Sequence, residues 1–347
     1  MSDAVQTLAR SPQTDRRTWT RPAVQFGFVI FSILLCIEFR GFVLSLEDPH
    51  GPIRPRPAAV DAWLPISSLL SLTYYIRTGI PADVHPAGLV IFSLTILLAL
   101  AIRRGFCSWV CPIGTGAEYA HKTGKILFGA NLRIPKWIDL PLRAIKYLLL
   151  GFFLYSILRM PVEGLHAFIN GPYNRIADVK MYLFFADITP TALAVIAVLA
   201  ALSILIKNFW CRYLCPYGAL LGIFSYLSPT AVRRNTNACT GCGACTRACP
   251  NRIAVHRKTT VRSPLCTACL TCVNACKVPA ALEFAASFEF GAAKRKWRLS
   301  PAAYALITVI AFLAAAQLAQ TLGYWHSSTP DHLYKMLYAS IHQINHP

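Results

Sequence analysis

Thirteen cysteines stand in this 347-residue chain, and most of them fall into repeated spacings that suit metal ligation. Cys239, Cys242, Cys245 and Cys249 follow C-x2-C-x2-C-x3-C with Pro250 directly after, and Cys266, Cys269, Cys272 and Cys276 repeat the pattern. This is the spacing of bacterial ferredoxins that hold two [4Fe–4S] clusters, in which the fourth cysteine of each run ligates the other cluster. One cluster then takes Cys239, Cys242, Cys245 and Cys276, and the second takes Cys266, Cys269, Cys272 and Cys249. The x2 spacing wraps three thiolates around one cube face, and the distant fourth ligand ties the two half-modules together. Paired C-x2-C also binds zinc, but two identical four-cysteine runs, one of them closed by proline, favour the clusters. In the second run Lys277 follows Cys276 and proline arrives only at Pro279, which weakens the turn and removes no ligand. Arg247, Arg252 and Lys277 lie close to ligands, where positive charge is expected to raise cluster potentials.

A second pattern is an internal repeat. The segment 102–114 carries Cys107, Cys111 and Pro112 in the order Phe-Cys-Ser-Trp-Val-Cys-Pro-Ile-Gly, and 206–218 repeats it as Trp-Cys-Arg-Tyr-Leu-Cys-Pro-Tyr-Gly with Cys211, Cys215 and Pro216. In each copy an apolar stretch leads into a basic step, an aromatic residue and C-x3-C-P-x-G. Helical cysteines four apart share one face, and the proline should bend the chain at the second cysteine. Two such pairs at equal depth bring four thiolates to one site. A third iron–sulfur or other soft-metal site, Cu(I) included, a redox-active dithiol set and plain packing all remain open. Lone Cys36 reads as a small apolar residue.

The elements that position these cysteines are membrane helices. The chain is 55% hydrophobic and 14% charged, with a mean hydropathy of +0.46, whereas an ordinary globular domain is about 25% charged. That composition excludes intrinsic disorder, and the length excludes a disulfide-stapled miniprotein. The formal charge of +19 would suit nucleic acid only on a soluble basic body, so no nucleic-acid partner is expected. Five stretches can cross a bilayer: Val24–Leu44, His85–Ile102, Leu142–Leu158, Thr189–Ile206 and Pro301–Leu322, each enough for a core of about 30 Å. With the N-terminus inside, the segments 1–23, 103–146 and 207–298 face inward and carry 26 of the 34 Lys and Arg but 6 of the 15 Asp and Glu, as the positive-inside rule requires. Trp63–Ile80 contains Pro65 and Arg77 and reads as an outer or re-entrant helix. Residues 1–23 are polar and the apolar run behind them lacks a small-residue cleavage site, so no cleaved leader is expected.

The expected fold is therefore an all-α polytopic membrane protein of about five transmembrane helices, N-terminus in and C-terminus out, with an inserted small α+β two-cluster ferredoxin-like module. Its parts are an N-terminal segment (1–23), a membrane domain with the duplicated helix–C-x3-C-P unit (24–230), the cluster module (231–290), a basic step and fifth span (291–325) and an outer tail (326–347).

Paired C-x3-C-P motifs at helix ends, followed by a two-cluster ferredoxin run, resemble the NapH/NosR/CcoG-type membrane polyferredoxins over roughly residues 24–325. The resemblance implies electron transfer in the bacterial inner membrane, serving respiratory or denitrification enzymes or the maturation of copper oxidases. By resemblance, Cys107, Cys111, Cys211 and Cys215 take the paired-motif role. Long NosR-type members carry a flavin domain ahead of the membrane core, which 23 residues cannot encode, so a flavoprotein would be a separate partner. CcoG-type members carry a soluble domain after the module, whereas here a fifth span follows.

The preferred reading is an electron-transfer subunit rather than a stand-alone enzyme. It links cytoplasmic [4Fe–4S] clusters and their donor to the quinone pool or a periplasmic partner. A copper reductase or metalloenzyme maturation factor and a redox-sensing regulator are the alternatives. Several polar features take bland readings: Glu38 and Arg40 in the first span, two apart and near its outer end, and His326, His332, His342 and His346 in a solvated tail. The loop 171–180 is either a partner-docking or quinone-proximal surface or a plain connection with interfacial aromatics. There is no Gly-rich dinucleotide or phosphate-binding motif.

Overall fold

The computed structural model describes residues 19–48, 50–290 and 293–344. Helix α1 (Thr20–Glu47) is followed by a 3-10 turn (Ala58–Trp63), α2 (Pro65–Thr78) and α3 (Pro86–Ile102). Then come α4 (Pro112–Phe128), α5 (Lys136–Arg159), α6 (Val162–Asn170), α7 (Ala177–Ala186), α8 (Pro190–Leu205) and α9 (Pro216–Tyr226). A four-stranded sheet interrupts the helices before α10 (Pro301–Thr321) and α11 (Asp331–Ala339) close the chain.

Proline recurs at the start of these helices for a physical reason: its ring presets φ, and the first turn has no use for its missing N–H. Hydroxyl side chains complete two of the starts. Thr189 caps α8 by accepting from the Ala192 amide at 3.3 Å, and Ser300 caps α10 by accepting from Ala303 at 3.1 Å. Helix α2 ends on Gly79 at φ 72°, a left-handed stop natural to glycine.

Helices α1, α5 and α10 are long and apolar enough to cross a membrane. Their outer faces show why a bilayer is needed. Ile30, Ile33 and Leu34 on α1, Leu148 and Phe152 on α5, and Leu306 and Leu313 on α10 all point away from the protein; helices apolar on every side bury one stripe in protein and the other in lipid. The other two expected spans are also helical but differ in build. Helix α8 forms a pair with α7, bent by 83° at the break, and α3 has 17 residues between Pro86 and Arg103, which turns the chain at φ 64°. The stretch expected as an outer or re-entrant helix is α2, which packs against α3 and α6.

Strands β1 (Thr230–Arg234), β2 (Thr260–Val261), β3 (Leu282–Phe290) and β4 (Ala293–Arg298) form one antiparallel sheet in the order β2-β1-β3-β4. Val232 pairs with Val261 on one side and Phe284 on the other, and these side chains share a buried core with Trp109 and Tyr304. The sheet runs past the expected module boundary at 290. Residues 293–298 of the basic step are a strand, β4, which pairs antiparallel with β3, and Arg298 pairs with Glu283 at 2.7 Å.

The tail is likewise more ordered than a solvated segment. Helix α11 turns Tyr334 and Leu337 inward, with Tyr334 edge-on to Phe42 at 5.4 Å, because its apolar residues recur at helical spacing beside the end of α1. His326, His332 and His342 stay exposed, and His346 lies outside the described residues.

The end of the helical domain far from the sheet is closed by buried ions. Arg56 donates to Asp178 at 2.6 Å and also pairs with Asp61, while His85 meets Asp61 at 2.9 Å and the Asn174 carbonyl at 2.7 Å. Both carboxylates are fully buried. The loop 171–180, expected as a docking surface or connection, thus supplies Asn174 and Asp178 to a clasp joining the 3-10 turn, α3 and α7. Burial alone would raise the Asp61 pKa; the charges of Arg56 and His85 outweigh it and hold the carboxyl below its ordinary value.

A carboxyl depressed in the folded state lends stability that is complete above its unfolded pKa of about 4 and fades as pH falls below that. Asp61→Asn leaves a buried cation short of a partner and should cost about 3 kcal/mol. Thermal unfolding in detergent, followed by tryptophan fluorescence, should show the wild type losing stability below about pH 4 more steeply than the variant.

Candidate metal centres and the motifs that position them

In both copies of the repeat the second cysteine occupies the last extended position before a helix. Cys111 (ψ 119°) precedes Pro112 of α4, and Cys215 (ψ 107°) precedes Pro216 of α9. Each sulfur therefore sits at a helix N-terminus, where free amides and the helix dipole favour a thiolate; the Cys215 sulfur accepts from the Gly218 amide at 3.2 Å. The first cysteines lie on unlike turns: Cys107 on a short α-turn (Phe106–Trp109) and Cys211 on a π-helical turn (Trp210–Leu214). The proline bend expected at the second cysteine is thus also a helix start.

Cys107, Cys111, Cys211 and Cys215 line one cavity of about 280 Å³. Phe28, Phe31, Trp63 and Phe312 give it apolar walls, and Arg104 brings it a charge. Burial pushes the Cys111 thiol up to about 12 and raises those of Cys107, Cys211 and Cys215. Such groups hold their protons unless a metal displaces them.

In the sheet-bearing part, Cys249 shares a small cavity with Cys266, Cys269 and Cys272. Cys276 interacts instead with Cys245, Cys239 and Cys242. The fourth cysteine of each run therefore sits among the first three of the other. Environment separates the two sets. Burial drives Cys249 up to about 12 and raises Cys266 and Cys272, whereas backbone amides of Gly241 and Ala244 hold the surface thiols Cys239 and Cys242 below their ordinary values. Among the described residues no three His, Cys, Asp or Glu side chains converge closely enough to grip a single metal ion; the buried thiols are spaced around cavities.

The residues between each cysteine pair join the two parts. In the first copy Ser108 donates to the Thr267 carbonyl at 2.6 Å and Trp109 to that of Ala268 at 3.0 Å, both between Cys266 and Cys269. In the second, Arg212 donates to the Asn251 carbonyl at 2.7 Å, two residues past Cys249, while Asp139 holds its guanidinium at 2.9 Å. Each copy of the repeat thus grips the backbone beside one cysteine run.

Arg247 donates to the Cys242 carbonyl at 2.9 Å, and Arg252 reaches the Leu132 carbonyl. Glu38, Arg40 and Cys36 are exposed on α1 and take no part. Sequence reading missed the nearest cations: Arg234, which bonds Cys239; Arg103, fully buried near Cys266; and Arg104 and Lys146 near the cavity thiols. Lys146 gave one signal, since a cation inside an apolar helix is costly and commonly functional.

The two motif glycines are not equivalent. A Cβ on Gly114 would collide with the Cys107 carbonyl oxygen, whereas one on Gly218 would meet the Cys215 sulfur at an ordinary 3.6 Å. Gly114→Ala should lower unfolding stability in detergent by about 1–3 kcal/mol, and Gly218→Ala by less than about 0.5 kcal/mol.

Comparison with known proteins bears on these sets. A family model described as a 4Fe-4S binding domain matches residues 84–135 and 188–235, which contain the two C-x3-C-P motifs, and one described as a 4Fe-4S dicluster domain matches 231–277. YccM of Escherichia coli, provisionally named an electron transport protein, is 39% identical over 331 residues, covering 95% of this chain and 92% of that protein. The ferredoxin-type protein NapH of Escherichia coli is 26% identical over 61% of the chain and 72% of its own length. The regulatory protein NosR of Stutzerimonas stutzeri is 25% identical over 76% of the chain and 39% of its own length. No solved structure matches the chain. The duplicated cysteine helices, the dicluster run and near full-length similarity together show that the chain belongs to the NapH/NosR-type family of membrane polyferredoxins.

Proposed function

We propose that the chain carries electrons between an aqueous partner and the membrane through three cysteine-held centres. The observation that carries this reading is the change of surroundings from one cysteine set to the next. Cys242 is exposed with Cys239 and Cys276 half-buried, Cys249, Cys266 and Cys272 are buried together, and the third set, half-buried, lines an apolar cavity. The donor chemistry fits iron–sulfur clusters at each: Cys239, Cys242, Cys245 and Cys276 for one, Cys266, Cys269, Cys272 and Cys249 for the second, and Cys107, Cys111, Cys211 and Cys215 for a third. Such clusters supply one-electron carriers. The protein's own residues space the sets, exclude water from the inner two, and dock the module onto the membrane helices through Ser108, Trp109 and Arg212.

The remaining features belong to the same proposal. Five helices span the inner membrane, with α3 and the bent α7–α8 pair joining the three long ones. The N-terminus and the dicluster module face the cytoplasm, as supported by the inward excess of Lys and Arg. A cytoplasmic donor meets the exposed set, and a quinone or a periplasmic redox protein, such as a flavoprotein, exchanges electrons at the other end.

Anaerobic purification in detergent, with iron and sulfide counted and EPR recorded, tests the assignment. About twelve iron per chain, falling to about eight in Cys107→Ala/Cys211→Ala, is the expected result. About eight in both proteins would confine the clusters to the dicluster module, and absence of iron would overturn the function. The soft cavity thiols also suit Cu(I). Stoichiometric Cu(I) binding lost in that variant, with iron steady at about eight, would favour the maturation role.

A further inference from the structure

The buried and part-buried cations of this chain fall into two groups. Arg212 is held by Asp139, Arg56 by Asp61 and Asp178, and Arg21 by Glu118. Arg104 and Lys146 are 2% and 0% exposed and have no carboxylate partner among the described residues. The Lys146 ammonium finds no hydrogen-bond partner among the described residues; it lies over the Tyr147 ring, 5.2 Å from the centroid. Arg104 donates through Nη1 to the Gly218 carbonyl, and its Nε finds no acceptor. Burying a charge without a counter-charge is strongly unfavourable; an arginine keeps its charge even so, and negative charge close by would also hold the proton on Lys146. The groups that face them are thiols: Cys107 and Cys215 interact electrostatically with both cations, and Arg104 lines the four-cysteine cavity.

Resting on the reading of these four cysteines as the ligands of a metal centre, we propose that Arg104 and Lys146 are its counter-charges and set its reduction potential. Four thiolates on a dicationic four-iron core leave a double negative charge, which two cations match. A dithiol set or a pair of disulfides is neutral and leaves both cations unmatched. The second cysteine set repeats the device with one cation. Arg103 is fully buried, rests on the Thr230 and Ser263 carbonyls at 3.0 and 3.3 Å, has no carboxylate partner among the described residues, and interacts with Cys266. Reduction adds an electron beside these fixed charges, so each cation favours the reduced form. Both are positioning residues: they act through the field at the centre and ligate nothing.

The test is a potentiometric EPR titration of the full chain in detergent, comparing wild type with Lys146→Met, which keeps the length and loses the charge, and Lys146→Arg, which keeps the charge. In Lys146→Met the cavity centre should become at least tenfold harder to reduce, a shift of about 59 mV to lower potential for a one-electron couple. The two dicluster centres and Lys146→Arg should stay near wild type. A centre that assembles in Lys146→Arg but is lost in Lys146→Met also supports the proposal, since charge and not shape then decides assembly. An unshifted potential in Lys146→Met, or loss of the centre in both variants, overturns it while leaving the metal centre itself in place in the wild type. If the wild type holds no iron that depends on Cys107 and Cys211, the underlying reading fails and the counter-charge proposal falls with it.

Discussion

The two parts of this molecule are held in register by the three residues inside each C-x3-C motif. Ser108 and Trp109 grip the backbone between Cys266 and Cys269, and Arg212 grips the backbone just past Cys249. Because the gripping residues sit between cysteines, the position of one thiol set fixes the position of the next. Asp139 and Tyr213 in turn hold Arg212 in place, with the Tyr213 hydroxyl donating to the carboxylate at 2.5 Å. Trp109 packs at a tilt against Tyr304 of α10, with ring centroids 5.1 Å apart, so the last long helix is tied to the same junction. A separate dock at the head of α1 reinforces it: Arg21 reaches Thr271 beside Cys272 at 3.1 Å while pairing with Glu118 of α4.

Charge placement follows the same logic. An apolar domain tolerates buried ions only where each meets an opposite charge or dense hydrogen bonding. At the far end Arg56 satisfies this with Asp61 and Asp178, fastening loops that would otherwise fray. At the junction Arg212 does so with Asp139. The cations nearest the buried thiols have backbone carbonyls, a ring and sulfur for company, and this contrast sets them apart from the ions that hold the fold.

Much of this was legible in the sequence because cysteine spacing and apolar length are local signals. The grouping of Cys249 with the second run and Cys276 with the first is an expectation from a spacing rule; in the structure Cys249 lines one cavity with Cys266, Cys269 and Cys272. The five apolar stretches are all helical. Other features escaped because they depend on contacts between distant segments. No local pattern pairs Arg56 with Asp178 or lays Tyr334 on Phe42, so the tail read as solvated and the loop 171–180 as either a docking surface or a connection. The basic step after residue 290 read as a linker to the fifth span; as strand β4 it is defined by its pairing with β3, which charge composition does not reveal. The two C-x3-C copies looked equivalent, yet Cys107 lies on an α-turn and Cys211 on a π-turn, a difference set by packing.

The contrast between the surface thiols and the buried ones has a further meaning for how the protein ages in air. Cys239 and Cys242 lie at the surface with amides drawing them toward the thiolate, the form that reacts with peroxide and with other thiols. The buried set around Cys249 and the cavity set hold their protons tightly behind Trp109, Tyr304 and the helix walls. Oxidative damage should therefore begin at the outermost set and move inward, because the exposure that brings Cys242 within reach of solvent admits oxidants as well.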